Sequence, residues 1–287
     1  MKAGVSLYSF HDYKNDDSLG IKGCIEKAKE LGFTGFDFVD FGNYSERSEY
    51  LARATDIGNF CREIGMEPVC FCTGANFVTE NRKSEIERMK FSLEIAAALG
   101  CSVMRHDGAN TPPSSMRIGR SFDALLPMLA QCYREITDHA ETLGIKTCVE
   151  NHGFFIQHPE RVEKLINAVD SENFGALIDI GNFMCVGAEP TDAVALLAPY
   201  AIHCHAKDFH FRSGSLDDPG EGFFRTSSGD YLRGAMLGHG VVKVRQCIEI
   251  LKRSGYDGYL SLEFEGMEDP IKGIELGGKN LRRAIGI

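Results

Sequence analysis

"HAETLGIKTCVE", residues 139–150, decides how the chain is read. A helical stretch, HAETL, meets a glycine at 144. A short apolar run, IKTCV, follows and stops at a carboxylate, Glu150. Glycine closes helices because the left-handed position after the last turn costs it least. The same succession recurs in EKAKELG–FTGFDFVDF at Gly32, FCREIG–MEPVCFC at Gly65, IAAALG–CSVMRH at Gly100 and ILKRSG–YDGYLSLEFE at Gly255. Apolar runs place eight strands near 3–9, 36–41, 67–72, 101–106, 146–150, 174–179, 201–207 and 258–264, each followed by a helical candidate. Strands alternating with helices predict a parallel sheet. Eight such units in 287 residues predict an α/β fold, a single (β/α)8 TIM barrel over 1–287. An open doubly wound sheet would more often carry a glycine-rich phosphate loop after its first strand, and SLYSFHDYKND is not one. Ser84 and Glu87 predict a capping box, Ile86, Met89, Leu93, Ala96 and Ala97 trace one helical stripe, and Gly100 ends it. The longest irregular stretch, about 211–239, follows strand seven and is expected to be a functional loop covering the active site.

Composition narrows the classes. The net charge of −10 disfavours nucleic acid and anionic membrane as partners. No apolar run approaches the roughly 20 residues that span a bilayer. MKAGVSLYSF lacks a long apolar signal core. The ten cysteines are scattered, without a C-x-x-C pair, and read as reduced core residues of a cytoplasmic protein. A small molecule is the expected partner, and a homo-oligomer is compatible with the sequence.

In such a barrel, chemistry sits at the C-terminal ends of the strands. Those ends hold Arg105, His106 and Asp107 on strand four, Glu150, Asn151 and His152 on five, and Asp179 with Asn182 on six. Strand seven brings His203, His205 and Lys207; strand eight brings Glu263 and Glu265. Singly, each has a plain structural reading: Glu150 a solvated strand end, Asp179 a helix cap, the histidines core residues, Glu265 and Glu268 rim charges. Jointly, three carboxylates and an imidazole in one barrel mouth would repel without a cation. The oxygen-rich set suits Mn²⁺, Mg²⁺ or Co²⁺ better than a structural zinc.

The segments CVENHG, LIDIGN, HCHAKD, LGHGVV and GYLSLEFEG with EDP after it resemble the sugar phosphate isomerase/epimerase family, the xylose-isomerase-like TIM barrels, through nearly the whole chain. The resemblance implies a divalent metal, Mn²⁺ first with Mg²⁺, Co²⁺ or Zn²⁺ as alternatives, held by Glu150, Asp179, His205 and Glu263. It also implies Glu150 and Glu263 as acid and base. His152 is a further acid/base candidate, since an imidazole titrates near neutrality. His106, Asn182, His203, Lys207 and Arg225 are the candidate substrate contacts, with His203 alternatively backing the ligand His205 and Arg233 a further candidate for a sugar phosphate. The implied activity is metal-dependent isomerisation or epimerisation of a sugar or keto-sugar, by proton abstraction next to a carbonyl through a metal-bound enediolate. Elimination from an inosose or 3-keto sugar on the same site is the alternative. Asn182 stands where ketose epimerases often carry histidine, so that subgroup is matched imperfectly. Endonuclease IV-type enzymes share the four ligand positions, and His106-Asp107-Gly108 resembles one of their histidine turns. Their additional cluster histidines are missing here, at Thr73-Gly74-Ala75 and Asn182. A non-catalytic sugar-binding barrel would have no need of two ligating glutamates.

Overall fold

The computed structural model describes residues 1–14, 19–42, 46–109, 111–112 and 116–287. Its strands are β1 (Lys2–Ser6), β2 (Gly35–Val39), β3 (Glu67–Thr73), β4 (Val103–His106), β5 (Lys146–Glu150), β6 (Phe174–Asp179), β7 (Ala201–Ala206), β8 (Asp208–Arg212), β9 (Phe224–Arg225), β10 (Tyr231–Ala235) and β11 (Tyr259–Leu262). The helices are α1 (Gly20–Glu30), α2 (Arg47–Ile64), α3 (Arg82–Leu99), α4 (Phe122–Thr142), α5 (Pro159–Val169), α6 (Pro190–Leu197), α7 (Val244–Arg253) and α8 (Pro270–Ile285). β1, β11, β7, β6, β5, β4, β3 and β2 close in that order into a parallel barrel. This is the (β/α)8 architecture that the strand–helix rhythm predicts.

The five glycines that punctuate the rhythm all have φ between 69° and 89°. The helices present apolar stripes to the barrel; in α7, Val244, Cys247, Ile248 and Leu251 are buried at helical spacing. Gly58 lets α2 approach α3, because a Cβ there would stand 2.3 Å from the carbonyl oxygen of Leu99. The ten cysteines are free and buried. Cys70, Cys72, Val103, Cys148, Leu177 and Tyr259 form a cluster separate from the main core, on strand positions that face the barrel interior. Among the described residues, no helix is long and apolar enough to cross a membrane.

Two local expectations are corrected. α3 begins at Arg82, and its N-cap is Asn81, with no side-chain cap bond. Ser84 therefore lies inside the first turn, where it cannot act as a cap. The stretch 211–239 is irregular only in part: β8, β10 and β9 within and beside it form a small antiparallel sheet. Its hairpin registers Phe209 against Gly234 and Tyr231 against Arg212.

Candidate active site

Four strand ends converge. Glu150 ends β5, Asp179 ends β6, His205 lies near the end of β7, and Glu263 follows β11. All four are buried, and they offer ligand atoms that lie within 4.8 Å of one another. His205 Nδ1 stands 3.7 Å from Glu150 Oε1 and 3.5 Å from Glu263 Oε1. Its Nε2 is turned away, 3.2 Å from Asp37 Oδ2 on β2. The same oxygen meets His203 Nε2 at 2.7 Å. A carboxylate behind an imidazole fixes the ring and leaves its other nitrogen for a ligand. Asn151 stitches β5 to β6, donating to the carbonyl of Asp179 at 2.8 Å and accepting from its N–H at 2.9 Å. Asp179 Oδ1 accepts from the N–H groups of Gly181 and Asn182.

Two cations share the site. Arg105 on β4 meets Glu150 at 2.5 Å and Asp107 at 3.1 Å. Lys207 Nζ lies 2.8 Å from Glu263, 3.3 Å from Asp179 and 3.3 Å from Glu265. It also donates to Asn182 Oδ1, while Asn182 Nδ2 donates to Glu150 at 3.0 Å. Burial pushes the Glu150 carboxyl up, but the charge of Arg105 and then the nearby His205 outweigh it and hold Glu150 well below the usual range. Burial is likewise outweighed at Glu263, by Lys207 and His205. Asp179 goes the other way. Burial raises it to about 6, reinforced by Glu150 and Glu263 and opposed chiefly by Lys207. At Lys207, burial favours the neutral amine, but Asp179, Glu263, Glu265 and Glu150 together keep the ammonium charged.

A metal fits these residues. Despite the two cations, Asp179 Oδ2 and His205 Nδ1 are buried without a hydrogen-bond partner. Unpartnered buried polar atoms are costly, and both belong to the group of Glu150, Asp179, His205 and Glu263. Three oxygen donors and one nitrogen donor suit Mn²⁺, Mg²⁺, Co²⁺ or a catalytic Zn²⁺.

The site opens into a cavity of ≈ 450 Å³ lined by Glu150, His152, Asn182, His205, Lys207 and Glu263 among the expected residues. His152 sits at its edge, with Nδ1 3.4 Å from Asp107 Oδ1 and its side chain 48% exposed. Burial works against the imidazolium, but the hydrogen bond and charge of Asp107 prevail and raise its pKa.

Four expected substrate contacts lie off the cavity lining. His106 is fully buried behind the barrel wall, stacked on Tyr133 of α4 at 4.6 Å, because it points to the opposite face from Arg105. His203 faces inward but lies one layer below His205, sealed at 1% exposure against Asp37. Arg225 is on β9 with its side chain 63% exposed, and its guanidinium bonds the hydroxyl of Tyr231; it does not line the cavity. Arg233 bonds the sulfur of Met267 and lies near Glu268, and it too is absent from the lining. The structure adds Tyr8, Arg105, Phe154, Gln157, Phe224 and Glu265 to the cavity wall. Of these, only Arg105 and Glu265 stood at strand ends where sequence reasoning looked. Asp37 was legible in principle, as the one charge in the alternating run GFDFV.

Residues 25–284 match the model of the xylose isomerase-like TIM barrel family. The chain belongs to this family. An uncharacterized protein of Methanocaldococcus jannaschii is 30% identical, over 96% of this chain and 88% of its own length. An inosose dehydratase of Histophilus somni is 22% identical, over 96% of this chain and 95% of its own. The crystal structure of IOLI protein with a bound zinc atom superposes with a TM-score of 0.77 at 17% identity, covering 99% of this chain and 98% of that one. Relatives named for an activity include inosose dehydratases and an inosose isomerase.

Proposed function

We propose that this xylose isomerase-like barrel is an isomerase or epimerase that abstracts a proton next to the carbonyl of a sugar or cyclic keto-polyol. One observation carries the reading: two ionised glutamates, on different strands, each turn one oxygen toward the same imidazole nitrogen, at 3.7 and 3.5 Å. Held by Glu150, Asp179, His205 and Glu263, a divalent metal, Mn²⁺ before Mg²⁺, Co²⁺ or Zn²⁺, would supply Lewis-acid stabilisation of developing negative charge.

The chain's own residues supply the rest. Arg105 and Lys207 keep Glu150 and Glu263 unprotonated, so each can act as a base. In an isomerisation, one glutamate takes the proton from the carbon beside the carbonyl and returns that same proton to the neighbouring carbon. In an epimerisation, the second carboxylate relays a proton from solvent or from the Lys207 ammonium to the opposite face, and the first gives its proton up to solvent. General acid–base help of this kind is worth about 10²–10⁴-fold. Asn182 and Lys207, bridging between the carboxylates and the cavity, orient substrate hydroxyls.

A second reading, dehydration, is favoured by a separate observation. His152 reaches the cavity rim with Asp107 behind it, an acid placed to protonate a departing hydroxide. An inosose dehydratase among the relatives agrees with that chemistry. Both readings begin with the same enediolate. Turnover of an inosose in D₂O should put deuterium at one carbon of the product or wash it into recovered substrate. A stereoisomer or shifted ketone supports the first reading, and an unsaturated product the second. Retention of all substrate hydrogen at its original carbon during turnover would rule out both.

A further inference from the structure

Among the described residues only Phe154 and Asp170 are non-glycine with positive φ. Asp170 has an ordinary reason, since it closes α5 as its C-cap. Phe154, at φ 65°, closes no helix. The left-handed region disfavours a Cβ, and an aromatic residue has none of the local hydrogen bonding that eases Asn or Asp into it. The turn does not compel a phenylalanine, for Gly153 beside it also has positive φ. What holds Phe154 there is buried Gln157, which accepts from its N–H at 2.6 Å and donates to the carbonyl of Asn182 at 2.6 Å. Asn182 in turn donates to Glu150. The strained residue is thus tied by two side chains to a proposed metal ligand.

The strain places the ring where it lines the cavity, 43% exposed, on a wall that also carries Tyr8 and Phe224. A strained backbone maintained at a cavity points to a task for that side chain. Beyond these rings and Val39, Cys72 and Cys185, the lining is glycine or polar and charged groups that can satisfy hydroxyls; Phe154 is the ring carried there by a strained backbone. Resting on the sugar-like substrate proposed above, we propose that Phe154 is the platform on which the C–H face of that substrate packs. It is a specificity residue, with no part in moving the proton.

Three variants test this, with an inosose as probe and a free ketohexose as comparison. Phe154→Asn removes the ring and suits the left-handed backbone, so it should melt no lower than wild type. It should raise KM for the inosose by about tenfold with kcat within about twofold, the signature of lost uniform binding. Phe154→Tyr should restore KM. The chain contains no tryptophan, so Phe154→Trp creates a single emitter at the mouth, and its emission should change saturably as the sugar is added. A wild type that turns over the probe while Phe154→Asn keeps its KM overturns the platform alone. A saturable emission change without turnover supports the platform and removes the reaction assigned above. A wild type that binds neither probe by calorimetry removes both.

Discussion

His106 separates a buried structural histidine from a substrate contact, and pH is the perturbation that shows it. Its Nδ1 lies 2.8 Å from the backbone carbonyl of Asp107. A carbonyl only accepts, so Nδ1 carries the proton and Nε2 is the bare nitrogen. Nε2 is buried and has no partner, with Phe77 and Tyr133 packed on the ring. Charging it means placing a proton there. Burial pushes the pKa down to about 4, helped by Arg105 and Arg88, against the opposing pull of Asp107. The unfolded chain takes up that proton near pH 6.5. The neutral ring therefore contributes stability that is complete above pH 6.5 and lost as pH falls toward 4. Linkage over this window gives a loss of about 2 kcal/mol between pH 7 and pH 5. His106→Phe keeps the stacked ring and removes the titration. It should be less stable than wild type at pH 7, by about 1 kcal/mol for the lost hydrogen bond. The gap should shrink by about 2 kcal/mol at pH 5 and reverse. Urea unfolding followed by far-ultraviolet circular dichroism measures the gap, and ring NMR of labelled histidine should show one resonance unmoved from pH 7 to pH 5. Parallel pH dependence in the two proteins, with a His106 resonance titrating near 6.5, would refute the reasoning.

Asp179→Ala removes the unpartnered Oδ2 together with the acceptor of the Gly181 and Asn182 N–H groups; it should abolish tight Mn²⁺ binding by calorimetry at some cost in stability, while circular dichroism stays that of the folded barrel. Stoichiometric metal retained by this variant would count against the ligand set. Lys207→Met removes an ammonium that lies 2.8 Å from Glu263 and 3.3 Å from Asp179. It should destabilise the metal-free protein and bind Mn²⁺ about tenfold more tightly, ~1.4 kcal/mol, and weaker binding would show that the lysine supports the site instead of competing for it. Gly58→Ala pushes a Cβ to 2.3 Å from the carbonyl oxygen of Leu99 and should cost about 1–3 kcal/mol in urea unfolding by overpacking the α2–α3 contact.

The barrel was legible because its signals are local. Gly32, Gly65, Gly100, Gly144 and Gly255 need a left-handed backbone whatever the tertiary context, and the runs after them are too short and apolar for anything but buried strands. The sheet of β8, β9 and β10 was not legible, because its partners are separated by SGSLDDPGEG and TSSGD. Those segments read as loop, and hairpin register is settled only when the strands meet. The capping box failed for a related reason: Ser84 has the right neighbour in Glu87, yet Arg82 and Lys83 already lie within α3, and one turn of additional helix outweighs one cap.

At the site, position along the strand was legible and direction was not. Reading only which residues end a strand treats Arg105 and His106 alike, although successive residues point to opposite faces. Applying that alternation outward from Glu150 would have placed Arg105 inside and His106 against α4. Depth was the other missing quantity. His203 and His205 share a face, but the lower one is sealed against Asp37 and only the upper one meets the glutamates.

Charge repulsion, which first suggested a metal, turns out to be the weaker of the two arguments for it. Arg105 and Lys207 already stand among the carboxylates, so electrostatic balance alone does not demand another cation. Hydrogen bonding is the stronger ground for proposing one. Lys207 lies 3.3 Å from Asp179 Oδ2, yet that oxygen has no hydrogen bond. His205 Nδ1 faces two carboxylates with no hydrogen bond to either. A guanidinium and an ammonium can balance the charge of the site, yet they leave these two atoms, aimed at a common point, without a partner. A small divalent ion can, because its coordination is set by distance to several ligands at once. The identity of the donors therefore carries the metal assignment. It also explains why Asp37, which lies outside the cavity, is built into the fold: without its grip on Nε2, nothing would aim Nδ1 of His205 at that point.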